Sequence, residues 1–134
     1  MITWKRLGLI NYVFPNTQPY NKEYLSYQEN LPQGVQFTNY TKNVSIDISR
    51  ESNAYDVVGL GKEFISFVEN SFNSGIFLHI PENIAINEPL EVRFNMDNRN
   101  PIVVDYNIIV ANPNSELTII FDYTSKDDVD AHHN

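Results

Sequence analysis

From Phe64 onward, apolar residues recur at spacings of three and four. Phe64, Phe67, Val68 and Phe72 fall in one stripe, leaving Lys62, Glu63, Glu69 and Asn70 for water. The spacing predicts a helical segment over 54–74, firm only from about Gly61 to Phe72, because Gly59 and Gly61 weaken its front half. Asn73-Ser74-Gly75 supplies the stop, with Gly75 available for a left-handed residue. Past Gly75 the period drops to two. IFLHIP, IAIN, LEVRFNM, VVDYNIIVA and ELTIIFDY read as short strands separated by Pro/Asn-rich turns, with no helix between them. In LEVRFNM, Leu90, Val92, Phe94 and Met96 share one face against Glu91, Arg93 and Asn95, which predicts a sheet with one buried side.

Residues 1–53 show no sustained period. They form a turn-rich segment holding Tyr12, Tyr20, Tyr24, Tyr27 and Tyr40, with short strands expected at 34–38 and 44–48. Residues 124–134 are polar and acidic and read as a surface tail. The chain thus divides into a turn-rich N-terminal segment at 1–53, a helical segment at 54–74, strands at 75–123 and a tail at 124–134. Periodicity leaves three architectures open for the strands: a sandwich, a jelly roll or a parallel β-helix.

The 134 residues suit one domain, and their 42% hydrophobic and 19% charged content is that of a globular chain. Nine Lys and Arg against 17 Asp and Glu leave a net charge of −8, which argues against nucleic acid and anionic membrane surfaces as partners. The absence of Cys rules out disulfides, thiolate metal sites and a cysteine nucleophile within this sequence. No apolar run approaches a spanning helix and no targeting signal opens the sequence, so a soluble, cytoplasmic protein is expected. The eighteen Asn fit a chain with many turns.

Residues 63–94, EFISFVENSFNSGIFLHIPENIAINEPLEVRF, resemble the SufB/SufD family, the scaffold proteins of the Suf iron–sulfur cluster assembly system. The similar pattern is a short helix, a small-residue turn, and then Gly75, Ile76, Phe77, Leu78, Ile80 and Pro81, followed by Ile84, Ile86, Pro89 and Leu90. It continues through Asn107–Ala111, Ser115–Ile119 and Asp122-Tyr123, and Thr3-Trp4-Lys5-Arg6-Leu7 is similar to the family's opening. The resemblance implies a mainly β fold, a short right-handed, single-stranded parallel β-helix preceded by one amphipathic helix and the turn-rich segment. It implies a SufD-like component or fragment of the scaffold, not an enzyme, acting through protein–protein contacts with SufB-like and SufC-like partners. Family members are several times longer, so a fragment, a split gene product or a stand-alone relative is expected. Self-association through the open end of such a β-helix is a further expectation. The helix stripe is expected to cap the N-terminal end of the β-helix, and Phe77, Ile80, Ile86, Val92, Ile109, Leu117 and Ile119 to point inward.

No cofactor is expected, and no phosphate loop, nucleophile elbow or HExxH motif is present. The one candidate metal constellation is Asp130, His132 and His133, with Asp127 and Asp128 nearby. A solvated acidic tail is the competing reading. Adjacent histidines in a strand point opposite ways, so one of the two at most would join Asp130. His79 reads as a hydrogen-bonded structural histidine. The alternative function is a small sandwich or cupin-like ligand-binding domain, its pocket lined by the tyrosines of 12–40. Parallel or antiparallel pairing of 76–80 with 102–111 separates the two readings.

Overall fold

The computed structural model describes residues 11–21, 31–39 and 62–133. The expected strand at 44–48, the front of the helical segment and Asn134 lie outside the described residues. The chain is mainly β with one short helix among the described residues. The elements are β1 (Gln36–Asn39), α1 (Lys62–Ser71), β2 (Ile76–Ile80), β3 (Leu90–Met96), β4 (Ile102–Val103), β5 (Ile108–Ala111), β6 (Ile119–Ser125) and β7 (His132–His133).

The sheets are small and mixed. β1 runs antiparallel to β2, and β2 runs parallel to β5. β3 pairs in parallel with β6, and β4 with β7. One regularity runs through the parallel pairs. Phe77 faces Ile108, Leu90 faces Ile119 and Ile102 faces His132, so partners lie 31, 29 and 30 positions apart. The bridges Ser74 to Asp105 and Ala85 to Glu116 keep the same spacing of 31. A first pass of chain, 74–103, is therefore followed alongside by a second, 105–133. Backbone bonds carry the register through the corners, as where Asn112 N–H donates to the Ile80 carbonyl at 3.0 Å and Glu116 N–H to that of Ile84 at 3.0 Å. The turn at 112–115 joins β5 to β6 without pairing them, because each returns to its own partner in the first pass.

Two local devices let the passes lie close. Asn83 and Asn114 occupy equivalent corners, both at φ 60°, where Asn is tolerated beside Gly. The Asn114 amide donates to Asn83 Oδ1 at 2.8 Å, tying one corner to the other. Gly75, expected as a helix stop, has φ 142°, and a Cβ there would fall 2.0 Å from the Tyr106 carbonyl oxygen. Its missing side chain lets the second pass approach the first at the helix exit.

The period-2 pattern of the first pass is realised closely. Ile76, Leu78, Ile80, Leu90, Val92, Phe94 and Val103 are fully buried. Among the residues expected inward, Ile80, Ile86 and Val92 are buried. Phe77 is a correction: it faces away from Ile76 and Leu78, as strand alternation requires, and packs with Phe72, Val104 and Ile108. In the second pass Leu117 and Ile119 are half-buried and Ile109 is exposed. Run by run, IAIN contributes a bridge rather than a strand, and VVDYNIIVA is split into β4 and β5 around Asp105–Asn107.

The helix is a second correction. Phe67, Val68 and Phe72 pack on Phe77, Ile102, Val104, Tyr106, Ile108 and Val110, which come from both passes. Phe77 and Ile108 are paired and share a face, so α1 lies along the side of the passes and does not cover one end. Covering of the first-pass edge falls instead to the N-terminal segment. β1 pairs with β2, Leu31, Val35 and Phe37 pack on Leu78, Ile80 and Leu90, and Tyr20 packs edge-on to Phe94. The Tyr20 hydroxyl also donates to the Asn95 carbonyl and accepts from its N–H, both at 3.0 Å.

Two substitutions test this arrangement. Gly75→Ala should cost about 2 kcal/mol or more, since the methyl meets backbone that cannot move alone. Phe94→Ala should cost about 3–5 kcal/mol, the range for emptying a buried aromatic site. Urea unfolding followed by fluorescence measures both, and a loss under about 1 kcal/mol for either would refute the packing described.

Candidate functional site

β6 alternates, and its residues Ile119, Phe121 and Tyr123 lie directly beside Leu90, Val92 and Phe94. Paired residues in parallel strands share a face, so the second pass repeats the inward row of the first. That row is covered on one side only. Leu78 is 0% exposed while its partner Ile109 is 41% exposed. The result is a shallow apolar shelf of Ile109, Leu117, Ile119 and Phe121, ending in a polar corner.

An aromatic column builds that corner. Tyr123 lies over Phe94 with ring centres 5.1 Å apart and 9° between planes, and His133 lies over Tyr123 at 3.7 Å. The Tyr123 hydroxyl donates to Asp105 Oδ2 at 2.9 Å, and His133 Nε2 stands 2.7 Å from Asp105 Oδ1. The Asn107 amide donates to Asp105 Oδ2, while its own oxygen accepts the Ile76 N–H at 3.1 Å. The Asp105 side chain is only 6% exposed, so both oxygens need donors, and they have them. Burial, and next the Asp105 charge, push the Tyr123 phenol well above its ordinary pKa, so it stays a donor.

The two histidines part company, as alternation demands. His133 turns to the shelf. His132 turns to the side wall, where the Tyr12 hydroxyl lies 2.6 Å from His132 Nδ1 and Phe67 meets the ring edge-on. Burial first, and the neighbouring His133 second, hold the His132 imidazole below its usual pKa. Asp127, Asp128 and Asp130 are exposed. Asp130, His132 and His133 are thus not brought together, and among the described residues no three His, Cys, Asp or Glu side chains stand close enough to hold a metal ion. His79 is half-buried in β2, with its Nε2 3.2 Å from the Asn112 amide nitrogen, a structural bond across the passes.

Sequence reasoning singled out His133 as a candidate ligand beside Asp130 and passed over Asp105, Tyr123 and Asn107 as a group. A signal was present: Asp105 is the one charge between Pro101 and Ala111. A carboxylate in so apolar a run must be fed by donors, and a Tyr and a His are suited to that. Of the tyrosines of 12–40, Tyr24, Tyr27 and Tyr40 lie outside the described residues. Tyr12 packs on Phe14, Phe64 and His132, and Tyr20 on Phe94.

Among the described residues no helix is long and apolar enough to cross a membrane. Compared with protein-family models, with curated proteins and with solved structures, the chain matches none of them.

The Tyr12–His132 contact has a pH signature. An imidazole held below its unfolded value of about 6.5 binds fewer protons folded than unfolded near that pH. Its contribution to stability is complete above pH 6.5 and is lost as pH falls through the lowered folded value. Unfolding free energy should therefore drop between pH 7 and pH 5, and His132→Gln should flatten that slope. Urea melts at the two pH values decide, and an unchanged slope in the variant would remove His132 as its source.

Proposed function

We propose that the two passes are successive coils of a right-handed parallel β-helix, and that the chain serves as a SufD-like component of the Suf iron–sulfur cluster scaffold in the cytoplasm. The observation that carries the fold reading is the constant spacing of 29 to 31 positions in every parallel pairing from Ser74 to His133. Such a spacing is what winding about one axis produces, with corners of fixed length between faces. Right-handed crossing is the strong preference for parallel strands joined in this way. The resemblance of 63–94 to the SufB/SufD pattern then supplies the system.

The role is contact, not chemistry. The half-covered inward row of the second pass offers apolar side chains and strand edges of the kind that bind another chain. Cluster chemistry belongs to partners, because this sequence has no Cys, and imidazole with carboxylate alone is a poor shell for iron–sulfur clusters. The parallel pairing of β2 with β5 weighs against the sandwich or cupin alternative, whose sheets are antiparallel.

Co-expression with SufB-type and SufC-type proteins, followed by tag purification of this chain, tests the assignment. The expected outcome is a complex that survives gel filtration. Recovery of this chain without either partner would overturn the Suf reading. Anaerobic reconstitution of the chain alone should leave it without a chromatographically stable cluster, judged by visible absorbance and iron content.

A further inference from the structure

The edge of the second pass has both a shape and a sign. Among the described residues, β5, β6 and β7 each pair on one side only, so their far edges present backbone N–H and C=O groups to a newcomer. The same end carries the half-covered row of Ile109, Leu117, Ile119 and Phe121, whose first-pass counterparts Leu78, Leu90 and Val92 are fully buried. Exposed acids flank β6 along the chain, Glu116 before it and Asp127, Asp128 and Asp130 after it, and Lys126 is the one Lys or Arg between 104 and 133. Asp122 is already engaged by Arg93 at 2.9 Å.

We infer that this edge receives an extended segment of a partner protein whose side chains alternate between apolar and basic. The apolar set completes the inward row as a third layer. The basic set reaches the acidic rim, and the main chain bonds to the free edge of β6 as an added strand. A second copy is the poorer occupant, because it brings the same acids to the same rim and the same net charge of −8. The inference rests on the two-coil reading above but not on the Suf assignment, since any partner with this segment would serve.

Titration of the full chain with two peptides tests it, one alternating Val with Lys and one alternating Val with Glu, followed by amide chemical shifts. Backbone contacts between Phe77 and Ile108 and between Val92 and Phe121 report that the two passes are in place. The Val/Lys peptide should shift amides of 108–125, at least about tenfold more tightly than the Val/Glu peptide, and the difference should shrink as salt rises. Ile109→Ser should weaken binding about fivefold or more. Ile120→Ser, on the opposite face of β6, should leave it unchanged. Equal affinity for both peptides, no binding with the backbone contacts intact, or a concentration-dependent dimer seated on 108–125 would each overturn the inference. Loss of the backbone contacts in the free chain would instead overturn the two-coil reading, and the inference with it.

Discussion

Parallel bonding between residues about thirty positions apart organises the rest of the described structure. Closing a loop of that length costs about 3 kcal/mol of chain entropy, and the first bonds formed do not repay it. The cost is shared, because one return of the chain alongside itself brings three parallel strand pairs and two bridges into register together. Once Gly75 admits the Tyr106 carbonyl, Ser74 meets Asp105, Phe77 meets Ile108, and the later pairs follow at nearly fixed spacing. The side wall of α1 depends on it too, since Phe72 packs on residues of both passes.

The two ends of this arrangement are treated differently. At the first-pass edge β1 adds a strand, and Tyr20, Leu31, Val35 and Phe37 cover the buried row. At the second-pass edge the equivalent row stays half-open, and the single buried carboxylate of the region sits there with Tyr123, His133 and Asn107 around it. Those three residues supply the donors that a buried carboxylate needs on both oxygens.

Much of the fold was legible. The alternation in LEVRFNM gave the buried face of β3, and the Pro and Asn clusters gave the corners. The change of period at Gly75 located the helix end within a few residues. What period-2 reading missed was parity: Phe77 and Ile80 cannot share a face, and the helix claims the side that Phe77 takes. The position of α1 was not legible either, because its stripe shows that it buries a face but not against which surface. The polar corner escaped because Tyr123 and His133 lie 18 and 28 positions from the Asp105 carboxylate. No local pattern joins them until the parallel pairing does.

The spacing also fixes where the sequence can change in length. Partners lie 31 apart at Ala85 and 29 apart at Leu90, so the first pass already holds two extra residues in the corner between them. That corner tolerates the change because residues 87–89 are all exposed to solvent. Within β3 or β6 a single inserted residue would turn every following side chain to the opposite face, sending Phe94 outward and Arg93 into the core. Natural or engineered variation in length should therefore collect at 87–89, while the strands on either side keep their count.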